Sequence, residues 1–109
     1  MRKYRNTKVK TPEGVFDSKR EFKRWNELKL MQREGLIKDL KRQVRIELIP
    51  AQKNELGKVI ERNCCYIADF TYYYAGDLVV EDTKGFRTPE YIIKRKLLLY
   101  LKGIKVVEV

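Results

Sequence analysis

Residues 66–85, YIADFTYYYAGDLVVEDTKG, read as two strands joined by a tight turn, with acids and a lysine set along them. Alternation places Ile67, Asp69, Thr71 and Tyr73 on one face of the first strand, with Tyr66, Ala68, Phe70 and Tyr72 on the other. In the second strand Val80, Asp82 and Lys84 share a face, opposite Val79, Glu81 and Thr83. Ala75, Gly76 and Asp77 form the turn, so the hairpin brings Asp69 near Asp82 and Lys84. Two carboxylates and an ammonium converging on one patch point to a divalent-cation site with a hydrolytic purpose.

The acid-x-Lys pattern alone is weak, since it recurs at Asp17/Lys19, Glu21/Lys23, Glu27/Lys29 and Asp39/Lys41. Those pairs fall in or beside helical stretches, where positions two apart point to different sides; only Asp82 and Lys84 lie in a strand that aligns them. A solvated cross-strand ion pair would explain the trio at well under about 1 kcal/mol. Val79, Val80 and the apolar neighbours of Asp69 instead predict strands buried on both faces. Charged groups buried there need a ligand or a metal to offset their desolvation.

Working outward, a helix is expected over residues 18–34, with Phe22, Trp25, Leu28 and Met31 near the helical period and Gly35 ending it. Ser18 and Glu21 form a capping box, the glutamate reaching back to the Ser18 N–H. Alternatively Glu21 points along the core edge toward the hairpin as a third carboxylate. Residues 36–42 lead into a strand at 43–49 that Pro50 closes, and 51–58 read as a loop. Residues 59–74 read either as one long strand or as a strand with a bulge near Asn63. Past Gly85, Thr88 caps a helix with Pro89 at its first position, running to about Lys102. Ile93, Leu97, Tyr100 and Leu101 are its expected buried stripe; Gly103 stops it, and 104–109 form a last strand.

The 109 residues predict one domain, with 43% hydrophobic residues and seven Tyr to build a core. Twenty-five Lys plus Arg against 15 Asp plus Glu leave a net charge of +10, which predicts an anionic partner, nucleic acid above all. Residues 1–10, with Arg2, Lys3, Arg5, Lys8 and Lys10, are expected as a basic flexible arm: a phosphate-gripping tail or simply a solvated terminus. Residues 11–109 form the domain, and 11–16 a turn or short edge strand entering it. Arg87, Lys94 and Lys96 are further candidates for a nucleic-acid backbone, beside Arg95 at the start of the second helix. No stretch reads as a membrane span or signal peptide, so a cytoplasmic setting is expected. Adjacent Cys64 and Cys65 lack the spacing of a zinc knuckle or redox pair. With no histidine, imidazole catalysis and His-ligated zinc are excluded, and no phosphate-cradling glycine loop is present. Carboxylate chemistry with Mg²⁺ or Mn²⁺ remains.

Asp69, then Asp82-x-Lys84 closing a hairpin, with Glu21 on the preceding helix, resembles the PD-(D/E)xK nucleases, the restriction-endonuclease-like superfamily. The stretches FDSKREFKRWNELK, YIADFTYYYAGDLVVEDTKGFRTPEY and IIKRKLLLYLKGIKVVEV further resemble a family of small phage proteins of the replication and recombination region. The resemblance spans nearly the whole chain after residue 5; Ala68 departs from it, standing where the superfamily name has proline. It implies an α/β fold with a mixed sheet, in the order helix, three strands, helix, strand, similar to Holliday-junction resolvases. It also implies a metal-dependent DNA endonuclease acting on branched DNA, in the host cytoplasm and with a homodimer as one form. Asp69 and Asp82 would hold Mg²⁺ or Mn²⁺ with the backbone carbonyl of Thr83, Glu21 would complete the site, and Lys84 would orient the attacking water. Two other classes compete: a non-catalytic nucleic-acid-binding protein on the same fold, and a structural or regulatory protein with an incidental charge cluster.

Overall fold

The computed structural model describes residues 7–84 and 86–109; Arg2, Lys3 and Arg5 of the expected arm lie outside them. Within that range the chain runs β1 (Val9–Thr11), β2 (Gly14–Phe16), α1 (Lys19–Arg33), β3 (Ile37–Ile49), β4 (Gln52–Lys53) and β5 (Val59–Glu61). It continues through β6 (Cys64–Tyr74), β7 (Asp77–Asp82), α2 (Pro89–Lys102) and β8 (Val106–Glu108). The main sheet has the order β3-β6-β7-β8; its first two pairings are antiparallel and β7-β8 is parallel. A parallel pair needs a crossover, which α2 supplies. The class is therefore mixed α/β with two helices. No helix among the described residues is long and apolar enough to cross a membrane.

Local chemistry accounts for the element ends. Ala75 and Gly76 both take positive φ, 50° and 87°, as a two-residue type I′ turn requires. Asp77 pairs with Tyr74, so it opens β7 rather than belonging to the turn. Ser18 Oγ accepts the Glu21 N–H at 3.1 Å and Thr88 Oγ1 the Tyr91 N–H at 3.1 Å, each capping a helix start. Gly103, at φ 69°, closes α2 in the left-handed conformation.

Several expectations are corrected. The basic arm does not extend to residue 10: Val9–Thr11 pair with Gly14–Phe16, and Lys8 meets Asp17 at 3.1 Å. Strand β3 starts at Ile37, six residues early, because the basic run 38–42 pairs with the Tyr-rich end of β6. Residues 59–74 split into β5 and β6 around Arg62 and Asn63, and the expected loop at 51–58 contains β4, which pairs with β5.

Two apolar cores lie on opposite faces of the sheet, since the adjacent residues Val79 and Val80 pack against different ones. On the α1 face, Leu28, Ile37, Phe70 and Tyr72 cluster with Trp25, whose ring stacks on Phe70. On the α2 face, Leu48, Tyr66, Ala68, Val80, Leu98 and Val106 cluster. Strict alternation would keep Ala68 and Phe70 together; they belong to opposite cores. Strand β3 changes sides at the same level: Arg42 lies over the Phe16 ring on the α1 side, whereas Ile46 and Leu48 join the α2 core. Between these pairs stand Asp69 and Gln43, and Gln43 holds a positive φ of 53°. A side chain in that region strains the backbone by about 1–2 kcal/mol, so something must hold it there.

The expected buried stripe of α2 is also corrected. Leu98 is the fully buried residue, Leu97 is half-buried and Leu101 is exposed, while Ile93 is 59% and Tyr100 85% exposed. The helix is rolled so that Tyr91 and Arg95 reach Glu108 of β8, at 2.6 and 3.3 Å. That roll turns the 91/95/98 side to the sheet, leaves Leu97 at its edge against the α2-face core, and turns Ile93, Tyr100 and Leu101 outward.

Candidate active site

The change of faces turns Asp69 toward the end of β7. Its Oδ2 accepts the Thr83 N–H and the Thr83 hydroxyl, both at 2.9 Å. The Asp69 N–H in turn donates to Asp82 Oδ1 at 3.0 Å, and the Tyr66 hydroxyl donates to Asp82 Oδ2. Lys84 Nζ sits 3.9 Å from Asp82 Oδ1 and over the Tyr91 ring. Asp82 is fully buried. Burial pushes its carboxyl up to about 6 against the pull of Lys84 and the Asp69 N–H, with the Glu108 charge adding to the rise.

Glu21 does more than cap. Its Oε1 accepts the N–H of Asp17, not that of Ser18, at 3.3 Å, and its Oε2 accepts Gln43 Nε2 at 3.0 Å, with Arg42 3.7 Å away. The same Gln43 nitrogen lies 3.4 Å from Asp69 Oδ1, so one amide bridges the helix carboxylate and the strand carboxylate. These bonds to charged acceptors offset the strained φ of Gln43. Glu21 is 2% exposed, and its carboxyl is pushed up to about 7, first by burial, then by the charges of Asp69 and Asp17.

Glu21, Asp69, Asp82 and Lys84 thus come together through consecutive contacts. Among the described residues no three acids or cysteines converge as a ready-made ion cage. The donor set nevertheless suits a hard divalent cation that keeps several of its own waters: carboxylate oxygens only, two of them on buried acids that resist ionisation. For Thr83 the contacts run from its N–H and hydroxyl to Asp69, not from its carbonyl.

The candidate backbone contacts divide. Arg87 is committed to Glu108 through Nε and Nη2, at 3.0 and 2.7 Å, which with the Tyr91 bond holds the Glu108 carboxyl down at about 2. Lys94 pairs with Glu90 at 3.2 Å and, with Lys84, Tyr66 and Tyr91, lines a cleft of about 220 Å³. Lys96 is exposed, and Lys10 lies in β1. On the other side of the β7 end, Arg20, Lys23, Arg24 and Thr83 line a second cleft of about 190 Å³. A further cavity, about 610 Å³, surrounds the Ala75–Gly76 turn, at the far end of β7 from the carboxylates.

Sequence reasoning missed Gln43, Tyr66, Arg20 and Lys23. Arg20 and Lys23 carried a signal, since they flank Glu21 on the helix one turn apart. Gln43 carried none, because a glutamine inside an alternating strand gives no hint of positive φ.

The family model described as "Protein of unknown function (DUF1064)" matches residues 1–106. This chain belongs to the DUF1064 family. Neither the curated proteins nor the solved structures include a match to it. The site of this DUF1064 chain is therefore read from its own atoms.

Proposed function

We propose that this DUF1064 chain is a divalent-cation-dependent DNA endonuclease on a restriction-endonuclease-like core, with branched DNA as its substrate class. The observation that carries this reading is the unbroken set of contacts from Glu21 through Gln43, Asp69 and Asp82 to Lys84. The succession α1, β3, β6, β7, α2, β8 in and around one mixed sheet agrees with the order expected of that core. The net charge of +10 and the basic clefts on both sides of the β7 end suit a polyanion passing the carboxylates.

In this reading Asp69, Asp82 and Glu21 would hold a Mg²⁺ or Mn²⁺ ion, which would supply Lewis acidity toward a phosphodiester. The Asp69 N–H and the Tyr66 hydroxyl fix the Asp82 carboxylate, so its oxygens need no reorganisation as substrate arrives. Thr83 does the same for Asp69. Lys84, aimed by the Tyr91 ring and the Asp82 charge, orients the attacking water and balances charge developing on the phosphate.

A cleavage assay on four-way junction, flap and linear duplex DNA with Mg²⁺, Mn²⁺ or chelator tests the proposal. Cleavage that needs the ion, and that Asp82→Ala or Lys84→Ala reduces by more than about a thousandfold with binding retained, is the expected result. Full activity in both purified variants would falsify it. Binding that weakens steeply with salt, without nicking under either ion, would instead leave a non-catalytic nucleic-acid-binding protein.

A further inference from the structure

The sheet face that carries Val80 and Asp82 is not covered to its end. Thr71 pairs with Val80 in register, and both are buried. One row nearer the turn, Lys38, Tyr73 and Leu78 stand side by side across β3, β6 and β7 and share that face, since side chains alternate from Val80 to Leu78. All three are exposed, Tyr73 by 42%. Lys38 and Tyr73 of this row, with Asp39 and Tyr74, line the cavity of about 610 Å³ around the Ala75–Gly76 turn. Small-molecule sites span about 300–1000 Å³.

The backbone here is held in an unusual form. Strand β3 shifts register between Lys38 and Lys41, Asp39 takes a positive φ of 55°, and Gln32 Oε1 of α1 accepts the Leu40 N–H at 2.9 Å. Bulges re-aim side chains and recur beside functional sites. At Gln43 the same strand uses positive φ to serve the carboxylates. The bend at Asp39 serves no side-chain contact inside the fold. Among the described residues, the Lys38 ammonium, the Asp39 carboxylate and the hydroxyls of Tyr73 and Tyr74 have no hydrogen bond or ion pair.

We propose that this cavity binds one unpaired nucleotide of a DNA strand: the base stacks on Tyr73, its exocyclic amino group donates to Asp39, and a phosphate meets Lys38. An unstacked base needs an exposed ring, and Leu78 extends the apolar surface beside this one. Lys38 and Tyr73 are cross-strand partners, about 5 Å apart at Cβ, so one nucleotide reaches both. A single free cation and a single free carboxylate match one phosphate and one base-edge donor. A duplex backbone calls for several cations together, as in the clefts at the other end of β7. The net charge of +10 favours a strand over an uncharged ligand. About 17 Å of β7 separates the cavity from the carboxylates at the rise of a strand, so occupancy requires neither metal nor cleavage.

Fluorescence anisotropy of the full chain with a short labelled single strand, in chelator so that nothing is cut, tests the site. Tyr73→Ala and Lys38→Ala are each expected to weaken binding by more than about fivefold while duplex affinity and the thermal melt stay as in wild type. Tyr73→Phe, which keeps the ring, should bind as wild type does. Oligo-dC should bind more tightly than oligo-dT, whose base has no exocyclic amino group, and Asp39→Gly, which keeps the positive φ and removes the acceptor, should erase that difference. A strand carrying one 5-iodo-deoxycytidine should photo-cross-link to Tyr73 or Tyr74, located by mass spectrometry. Unchanged single-strand affinity in both alanine variants, an equal loss for duplex, cross-links confined to other residues, or a mononucleotide that binds as tightly as the strand would each overturn the proposal. The outcome stands apart from nuclease activity: a chain that cuts nothing would still show it, and a nuclease without this site would not.

Discussion

Glu81 and Asp82 are neighbours in β7, both fully buried, and they point to opposite faces of one sheet. On the α1 face, Glu81 takes a two-pronged contact from Arg24, Nε at 2.6 Å and Nη2 at 3.0 Å, and a hydroxyl from Tyr72 at 2.5 Å. On the α2 face, Asp82 has an N–H and a hydroxyl, but its cation stands off at 3.9 Å and its carboxyl resists ionisation. The first arrangement is closed, with charge matched by charge and the acceptor oxygens occupied. The second leaves negative charge only partly balanced, as a site that must receive a positive ion would. Equal burial therefore says little about role; what the partner side chains leave unbalanced says more.

The contrast should break most sharply when Arg24 is removed. Arg24→Met strands Glu81 in the interior and is expected to destabilise the fold by about 3 kcal/mol, measured by urea unfolding. The same variant would loosen α1, and with it Glu21, from the hairpin.

Changing pH separates the two faces more gently. Asp82 and Glu21 have folded pKa values raised to about 6 and about 7, so both bind protons more tightly in the folded chain than in the unfolded one. Their contribution is present below pH 4 and is lost as pH rises through 6 and 7. Without divalent ions, unfolding free energy should fall by about 2 kcal/mol or more across that window, and Glu21→Gln should flatten the upper part. Added Mg²⁺ should raise the melting temperature at pH 8 and leave it unchanged at pH 5, where protons hold the carboxylates. Glu108 has the opposite sign: its pKa is lowered, so its contribution persists above pH 4.5 and disappears only as pH falls toward 2.

The smallest effect tests the strained glutamine. Gln43→Gly relieves the positive φ while losing the two amide bonds, and stability should change by less than about 1 kcal/mol. Gln43→Val keeps the strain and loses the bonds, so it should be less stable than Gln43→Gly by about 1–2 kcal/mol in the same denaturation series. Equal stabilities would mean that the backbone at Gln43 relaxes to ordinary strand geometry.

How far the sequence could be read depended on how local the determining interaction is. The turn at Ala75–Gly76 and the caps at Ser18 and Thr88 are settled within four residues, and they were legible. So was the approach of Asp69 to Asp82, which needs only the length of a hairpin. The simultaneous change of faces in β3 and β6 was not, because it accompanies a positive φ at Gln43, whose side-chain partners lie 22 and 26 positions away. Apolar period misled in α2 for a different reason. Of its most regular stripe only Leu97 touches the core, while Ile93, Tyr100 and Leu101 are exposed, and the contacts that go with this roll run to Glu108, beyond the end of the helix. Arg87 read as a free cation because its partner lies 21 residues on. Glu81 read as the plain companion of Thr83 because Arg24 is 57 residues away in sequence.

The crossing of faces at Asp69 ties together two layers that would otherwise be separable. A strand that kept its alternation would give all its large side chains to one layer, and the opposite helix could peel away with little effect on it. Here a single β6 lends Tyr66 and Ala68 to one layer and Phe70 and Tyr72 to the other. Loss of either helix uncovers half of the same central ribbon, so the two layers are expected to melt together as one cooperative unit.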